Sequence, residues 1–251
     1  MLKKIAFVGV PKKNIITKLN STYSNIEWID LDTPIEYIHK KDAVKFIPET
    51  TCSIIQTILT NILKIKVDIF VASIGPCKCD AMRFLIPTIK NLLPNIEIIE
   101  SINNEQESYG APISSSNLPL IEKFRKITNN VITKIIDENK EDEKHKQIKA
   151  NAGFWGVPPY DFSILELFPN TTHVYGWTRC MENQTPDNLE LELFIDKNVP
   201  TIFYSQSFCA KNILAKELAR KHKGLYVEVD GLADNSTRSK IKAYLELNNC
   251  Y

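Results

Sequence analysis

The stretch Cys52–Leu85, CSIIQTILTNILKIKVDIFVASIGPCKCDAMRFL, decides the fold class. Pro48 and the capping-type residues Glu49, Thr50 and Thr51 lead into an apolar helix expected from Cys52 to about Lys66. VDIFVASIG then reads as a strand, and a second helix is expected around Asp80 to Leu93. A buried strand flanked by two helices is the core of a parallel α/β unit, because parallel neighbours need helical crossovers. Upstream, KKIAFVGV is a continuous apolar run with β-branched residues, as expected of a strand buried on both faces. A helix is expected over Lys13 to Tyr23, a second strand at IEWIDLD, and a fourth at IEIIES.

Asn103 to Leu118 is polar and turn-rich and reads as a crossing loop. A long amphipathic helix follows, from Pro119 to about Asn139. Its apolar residues are Leu120, Ile121, Phe124, Ile127, Val131, Ile132, Ile135 and Ile136, and it ends in the charged run NKEDEKHK. A second α/β half starts near Lys149. ANAGFWGVP reads as strand and turn, YDFSILELF as a helix, and THVYGW, PTIFYSQ and LYVEVDG as strands. A final helix runs from Ser236 to about Leu247. The expected architecture is therefore two Rossmann-like lobes with mainly parallel sheets, joined by the long helix. Its divisions are an N-terminal lobe over residues 1–118, a connecting helix and charged segment over 119–148, and a C-terminal lobe over 149–251.

Composition excludes several classes. The chain has 251 residues, 43% apolar and 24% charged, with net charge +1, so no bulk field draws nucleic acid or an anionic membrane. The most apolar window, Ile54 to Ala72, is interrupted by Lys64, Lys66 and Asp68, and the apolar run at the start is too short for a signal peptide. A cytoplasmic protein is expected, without nucleic-acid or membrane partners. Six cysteines in a chain this long do not form a disulfide scaffold; in a reducing compartment they are thiols, metal ligands or catalytic groups.

Nucleotide motifs are missing. The first strand is followed by GVPKKN, not G-x-G-x-x-G, and no Walker A sequence occurs, so the backbone cannot closely approach a pyrophosphate. H-x-x-x-H, H-E-x-x-H and G-x-S-x-G are absent as well. Of the four histidines, His39, His145 and His222 lie in lysine-rich stretches. His173, at the start of a strand, is a candidate site residue or a satisfied structural histidine. Phe154-Trp155 and Tyr204 read as core packing, with a pocket wall as the alternative. Arg179 and Arg238 are candidates for bidentate recognition of phosphate or carboxylate; Thr237-Arg238 equally reads as a helix cap and a surface charge.

The cysteines carry the sharpest signal. Cys52 opens a helix, Cys79 follows a strand, and Cys209 follows another, the last two at carboxyl strand ends where open α/β sheets bind ligands. Soft thiolates select iron and zinc over hard cations. No C-x-x-C pair is present.

Around these cysteines the chain resembles the D-component of the 2-hydroxyacyl-CoA dehydratases and benzoyl-CoA reductases. The matching words are Cys52-Ser53, the strand from Asp68 to Val71, and Cys79-Asp80. NAGFWGVPPYDFSILELFPNTTHVYGWTRC follows, and then Phe208-Cys209, Glu228, Asp230, Thr237 and Arg238. The likeness runs from about Thr51 to Leu247. It implies that Cys52, Cys79 and Cys209 hold a [4Fe-4S] cluster with one iron open to water or substrate. It also implies a lyase or oxidoreductase working by low-potential one-electron reduction of a small substrate, often a CoA thioester. The implied partners are a homologous or identical subunit and an ATP-dependent activator. The chain departs from the family in its shortness and in the loop GWTRCMEN, which gains Cys180; Cys77 is a further addition beside Cys79. Either additional cysteine is a possible fourth ligand. A non-catalytic partner or scaffold subunit, and a SAM-dependent methyltransferase using the Gly9-Val10-Pro11 or Gly75-Pro76 turn, remain as alternatives.

Overall fold

A computed structural model describes residues 2–33, 40–75, 79–104, 112–136, 145–185, 188–207 and 209–251. The chain forms two compact α/β units. The first comprises residues 1–106, 131–140 and 185–187, and the second 107–130, 141–184 and 188–251.

In the first unit, β1 (Lys3–Val8), β2 (Ile26–Asp30), β3 (Ile69–Ile74) and β4 (Glu97–Ile102) form an all-parallel sheet in the order β2-β1-β3-β4. The crossovers include α1 (Lys13–Thr22), α2 (Ser53–Lys64) and α3 (Asp80–Leu92). All six residues of the internal strand β3 are buried, whereas the edge strands β2 and β4 are largely half-exposed. This is why KKIAFVGV and VDIFVASIG read as unbroken apolar runs. Phe70, Ala72 and Ile74 point to one face and pack with Ile55, Ile58, Leu59 and Ile62 of α2 and Leu85, Ile86 and Ile89 of α3. Burying one such aliphatic side chain is worth about 1.5–3 kcal/mol. The step from β1 to β2 runs opposite to the step from β2 to β3, so right-handed crossovers place α1 on the other face.

The second unit repeats this plan. β5 (Ala152–Trp155), β6 (Thr172–Tyr175), β7 (Thr201–Ser205) and β8 (Leu225–Glu228) are parallel in the order β6-β5-β7-β8. α4 (Leu120–Ile136) precedes the sheet. α5 (Trp177–Glu182), α6 (Leu189–Leu193), α7 (Lys211–His222) and α8 (Asn235–Leu247) follow in chain order. Trp155 and Phe203 pack against Ala215, Leu218 and Ala219 of α7. On the opposite face Phe154 stacks on Tyr204, with ring centroids 5.8 Å apart, and meets Phe124 and Phe168 edge-on. These aromatics are core. Gly153 is required where it stands, because a Cβ would lie 2.4 Å from Thr201 Oγ1.

One local reading is sharpened and one corrected. YDFSILELF forms a helix, Phe162–Leu167, and it is of the 3-10 type. Asp161 caps it through Ser163 N–H, and Pro169 disfavours helical backbone at Phe168, leaving too few residues for an α-helix to propagate. GWTRCMEN, read as a loop, contains α5, opened by Gly176 at φ +74°. The crossing loop over 103–118 is described only in part; it carries a 3-10 turn at Ile113–Ser115 and a bridge from Ser116 to Gln147. Residues 139–144 of the charged run lie outside the described residues. Among the described residues no helix is long and apolar enough to cross a membrane.

Candidate functional site

Two of the predicted ligands stand on the first unit. Cys52 is the N-cap of α2 and Cys79 the N-cap of α3. Both helices feed from or into β3 by parallel crossovers, so both begin at the carboxyl edge of the same sheet. Their carbonyls accept the first helical bonds, Cys52 from Gln56 N–H at 3.1 Å and Cys79 from Met82 N–H at 3.0 Å. Gln56 Nε2 also donates to the carbonyls of Glu49 and Thr51 at 2.9 and 2.6 Å, folding the preceding turn against the start of α2. The Cys79 thiol is exposed and that of Cys52 half-buried. Neither side chain makes a cap bond to its helix. Cys77 lies outside the described residues.

The second unit holds Cys209, Cys180 and Cys250. Cys209 stands between β7 and α7, half-buried, with its N–H on the Gln206 carbonyl at 3.3 Å and its carbonyl accepting Asn212 N–H at 2.9 Å. Cys180 is buried inside α5, its Sγ 3.6 Å from the Asn188 carbonyl oxygen. Cys250 is buried, and burial pushes its thiol pKa up. None of the described cysteines is in a disulfide. As donors the thiols fit iron or zinc in kind. Among the described residues no group of three or more Cys, His, Asp and Glu side chains is placed to hold one metal ion.

The remaining candidates are mostly engaged in structure. His173 Nε2 lies 2.8 Å from the Ile148 carbonyl, and burial lowers its pKa. Arg179 binds Glu182 at 2.6 Å and Asn183 at 2.7 Å within α5. Arg238 Nη2 donates to Asp161 at 2.7 Å and to Ser163 Oγ. Asp234 caps α8 through Thr237 N–H at 2.7 Å. At the carboxyl edge of the second sheet, Glu228 accepts from the Ser207 hydroxyl at 2.7 Å, Asn212 Nδ2 at 2.6 Å and the Tyr226 hydroxyl. These bonds, that from Tyr226 first, lower its pKa. Asp230 accepts Ser207 N–H at 2.7 Å. The Phe-Cys, Glu-x-Asp words are thereby tied together around Ser207; Phe208 itself lies outside the described residues.

Several buried charges escaped the sequence reading, Glu182, Lys123 and Asp161 among them. Glu182 accepts from the N–H groups of Ile113 and Ser114 as well as from Arg179. Lys123, with no exposed surface, donates to the carbonyls of Asn170 and Thr172. Asp161 is 4% exposed and binds Ser163, Ala233 N–H and Arg238. Asp161 and Glu182 lie in stretches quoted for the family likeness, but neither carries a motif role there. Each of the three charges also bonds a partner far away in sequence: Arg238 for Asp161, the N–H groups of Ile113 and Ser114 for Glu182, and the Asn170 and Thr172 carbonyls for Lys123.

No family model matches the chain, and no curated protein matches it. A solved structure described as "Crystal structure of ZnuA" is similar at 10% identity over 99% of this chain and 99% of that one, with a TM-score of 0.25. Likeness at that level has no bearing on function.

Proposed function

We propose that the protein is an iron–sulfur protein of the dehydratase and reductase type, with Cys52 and Cys79 of the first unit and Cys209 of the second as thiolate ligands. The observation that carries this reading is the shared setting of Cys52 and Cys79. Cys52, half-buried, and Cys79, exposed, occupy the N-cap positions of two helices that begin at one sheet's carboxyl edge. Cys209, between β7 and α7, has the corresponding position in the second unit. When bound, a [4Fe-4S] cluster supplies low-potential one-electron chemistry. The chain's own contribution is to set the thiols where parallel sheets open to ligands. Reduced thiols of this kind accord with a cytoplasmic setting, and the family likeness adds a homologous subunit and an ATP-dependent activator as partners.

The test is anaerobic preparation and reconstitution, followed by iron and sulfide counting and EPR. The reading expects a coloured protein with about four irons per chain or per subunit pair. Cys79→Ala and Cys209→Ala should lose iron while Cys250→Ala, at a buried core thiol, retains it. A colourless, iron-free product after reconstitution overturns it. A second reading, a non-catalytic partner subunit, is favoured by α5: where the family has an acidic loop, Arg179 and Glu182 are committed to internal bonds and Cys180 to the core. A stable complex with unchanged activity in Cys79→Ala would favour that second reading.

A further inference from the structure

At the carboxyl edge of the first sheet, β1 and β3 lie side by side while their onward helices leave in opposite directions, α1 towards β2 and α3 towards β4. This is where parallel sheets open a ligand crevice. Gly9 follows β1 at φ +62°, and a Cβ there would lie 3.3 Å from Ser73 Cβ and 3.6 Å from its Oγ. Ser73 is 3% exposed, and its hydroxyl has no hydrogen-bond partner among the described residues. A buried hydroxyl without a partner is unfavourable, so its partner is to be sought in a ligand.

The hydroxyl projects from the sheet face on which a helix starts. Ser73 is in register with Ser101 on β4, so both side chains project from the same face of the sheet. On that face Ser101 Oγ accepts the N–H of Lys12, the N-cap of α1, at 2.8 Å. Asn103 Nδ2 donates to the carbonyls of Val10 and Pro11 at 3.1 and 3.4 Å, taking up the acceptors of the intervening loop. α1 has no side-chain cap bond and no acidic residue in its first turn; Lys12 and Lys13 stand at its positive end instead. Cations there oppose the helix dipole, and an anion at the same place reverses the sign of that interaction. Asp32 accepts Gly9 N–H from the β2 side, fixing the turn away from Ser101.

We infer that the first unit binds one phosphate group, free or on a small phosphomonoester, at the start of α1. Its donors are the Ser73 hydroxyl, the first-turn N–H groups ahead of Ile15, whose own N–H bonds the Lys12 carbonyl at 3.0 Å, and the ammonium groups of Lys12 and Lys13. A diphosphate is excluded as a better ligand, because Pro11 removes a backbone donor and the loop GVPKKN has no second glycine for close approach. The site makes no use of the cysteines.

Calorimetric titration of the purified chain at fixed ionic strength tests the inference, with inorganic phosphate, glycerol phosphate and diphosphate as probes. Saturable one-site binding of phosphate and glycerol phosphate is expected, with diphosphate no tighter. A tighter fit of glycerol phosphate assigns an organic ligand, and equal affinities assign phosphate itself. Ser73→Ala should bind about tenfold more weakly through loss of one charge-assisted hydrogen bond, with an unchanged or higher Tm because an unpaired hydroxyl is gone. Lys12→Gln combined with Lys13→Gln should weaken binding further. Absence of saturable heat in the millimolar range, equal affinity in Ser73→Ala, or a preference for diphosphate overturns the inference. Repeating the titration on iron-free protein separates it from the thiolate reading.

Discussion

Asp161 shows how one buried carboxylate organises a unit. Burial alone would raise its pKa, but bonds from Ser163 and Ala233 N–H and the nearby Arg238 charge more than offset this and hold it below the usual carboxylate range. Its folded pKa is therefore lower than its unfolded one, so its stabilisation is present above about pH 4 and is lost as pH falls through the depressed value. Urea denaturation between about pH 5 and pH 2 should show a steeper loss in the wild type than in Asp161→Asn. At neutral pH the same substitution should cost about 1.5–3 kcal/mol. Lys123 is the converse case. Burial lowers its pKa to about 8, with Glu182 acting the other way. The unfolded chain then binds more protons between about pH 8 and pH 10.5, so stability rises with pH across that window. Compared with Lys123→Met, the wild type should gain stability from pH 8 to pH 10; a parallel pH profile for the two proteins would refute the assignment.

Between elements, the ties are made by polar side chains from helix to strand end. Asn61, 1% exposed in α2, sends Nδ2 to the carbonyls of Leu31 and Thr33 at 3.1 and 2.9 Å, fastening α2 to the segment after β2. Asn61→Leu should leave those carbonyls unpaired and cost about 1–3 kcal/mol, seen as a lowered denaturation midpoint with unchanged slope. Strands were legible because internal parallel strands are buried on both faces and read as apolar runs, as VDIFVASIG and PTIFYSQ do. Short helices were not. α5 and the 3-10 turn at Phe162–Leu167 have too few residues to show a period, and tertiary contacts from Glu182 and Asp161 decide their form. The helix starts at Cys52 and Cys79 were legible from Pro48, Thr50, Thr51 and Asp80, so the placement of two candidate thiols came from local chemistry.

Over the whole molecule the two sheets share one strand order, an internal first strand with the second on one side and the third and fourth on the other. Each unit has its own apolar cluster, one around Leu59 and Phe70, the other around Phe203 and Leu218. Leu59→Ala and Leu218→Ala should each destabilise by about 2–5 kcal/mol. Their effects should add to within about 0.5 kcal/mol, because among the described residues the two clusters have no member in common. A coupling above that in a double-mutant cycle would show that the clusters are not independent.

Alternation of apolar strands and amphipathic helices, with no disulfide scaffold and no glycine-rich phosphate loop, was settled by the order of residues alone. Those are properties of short windows, where burial of one face or both imprints a period. Folding decided which distant groups meet: Asp161 with Arg238, Lys123 with the carbonyls of Asn170 and Thr172, and Ser73 beside Ser101 at the start of α1. Such pairings depend on strand order and register, and no local pattern of side chains encodes them.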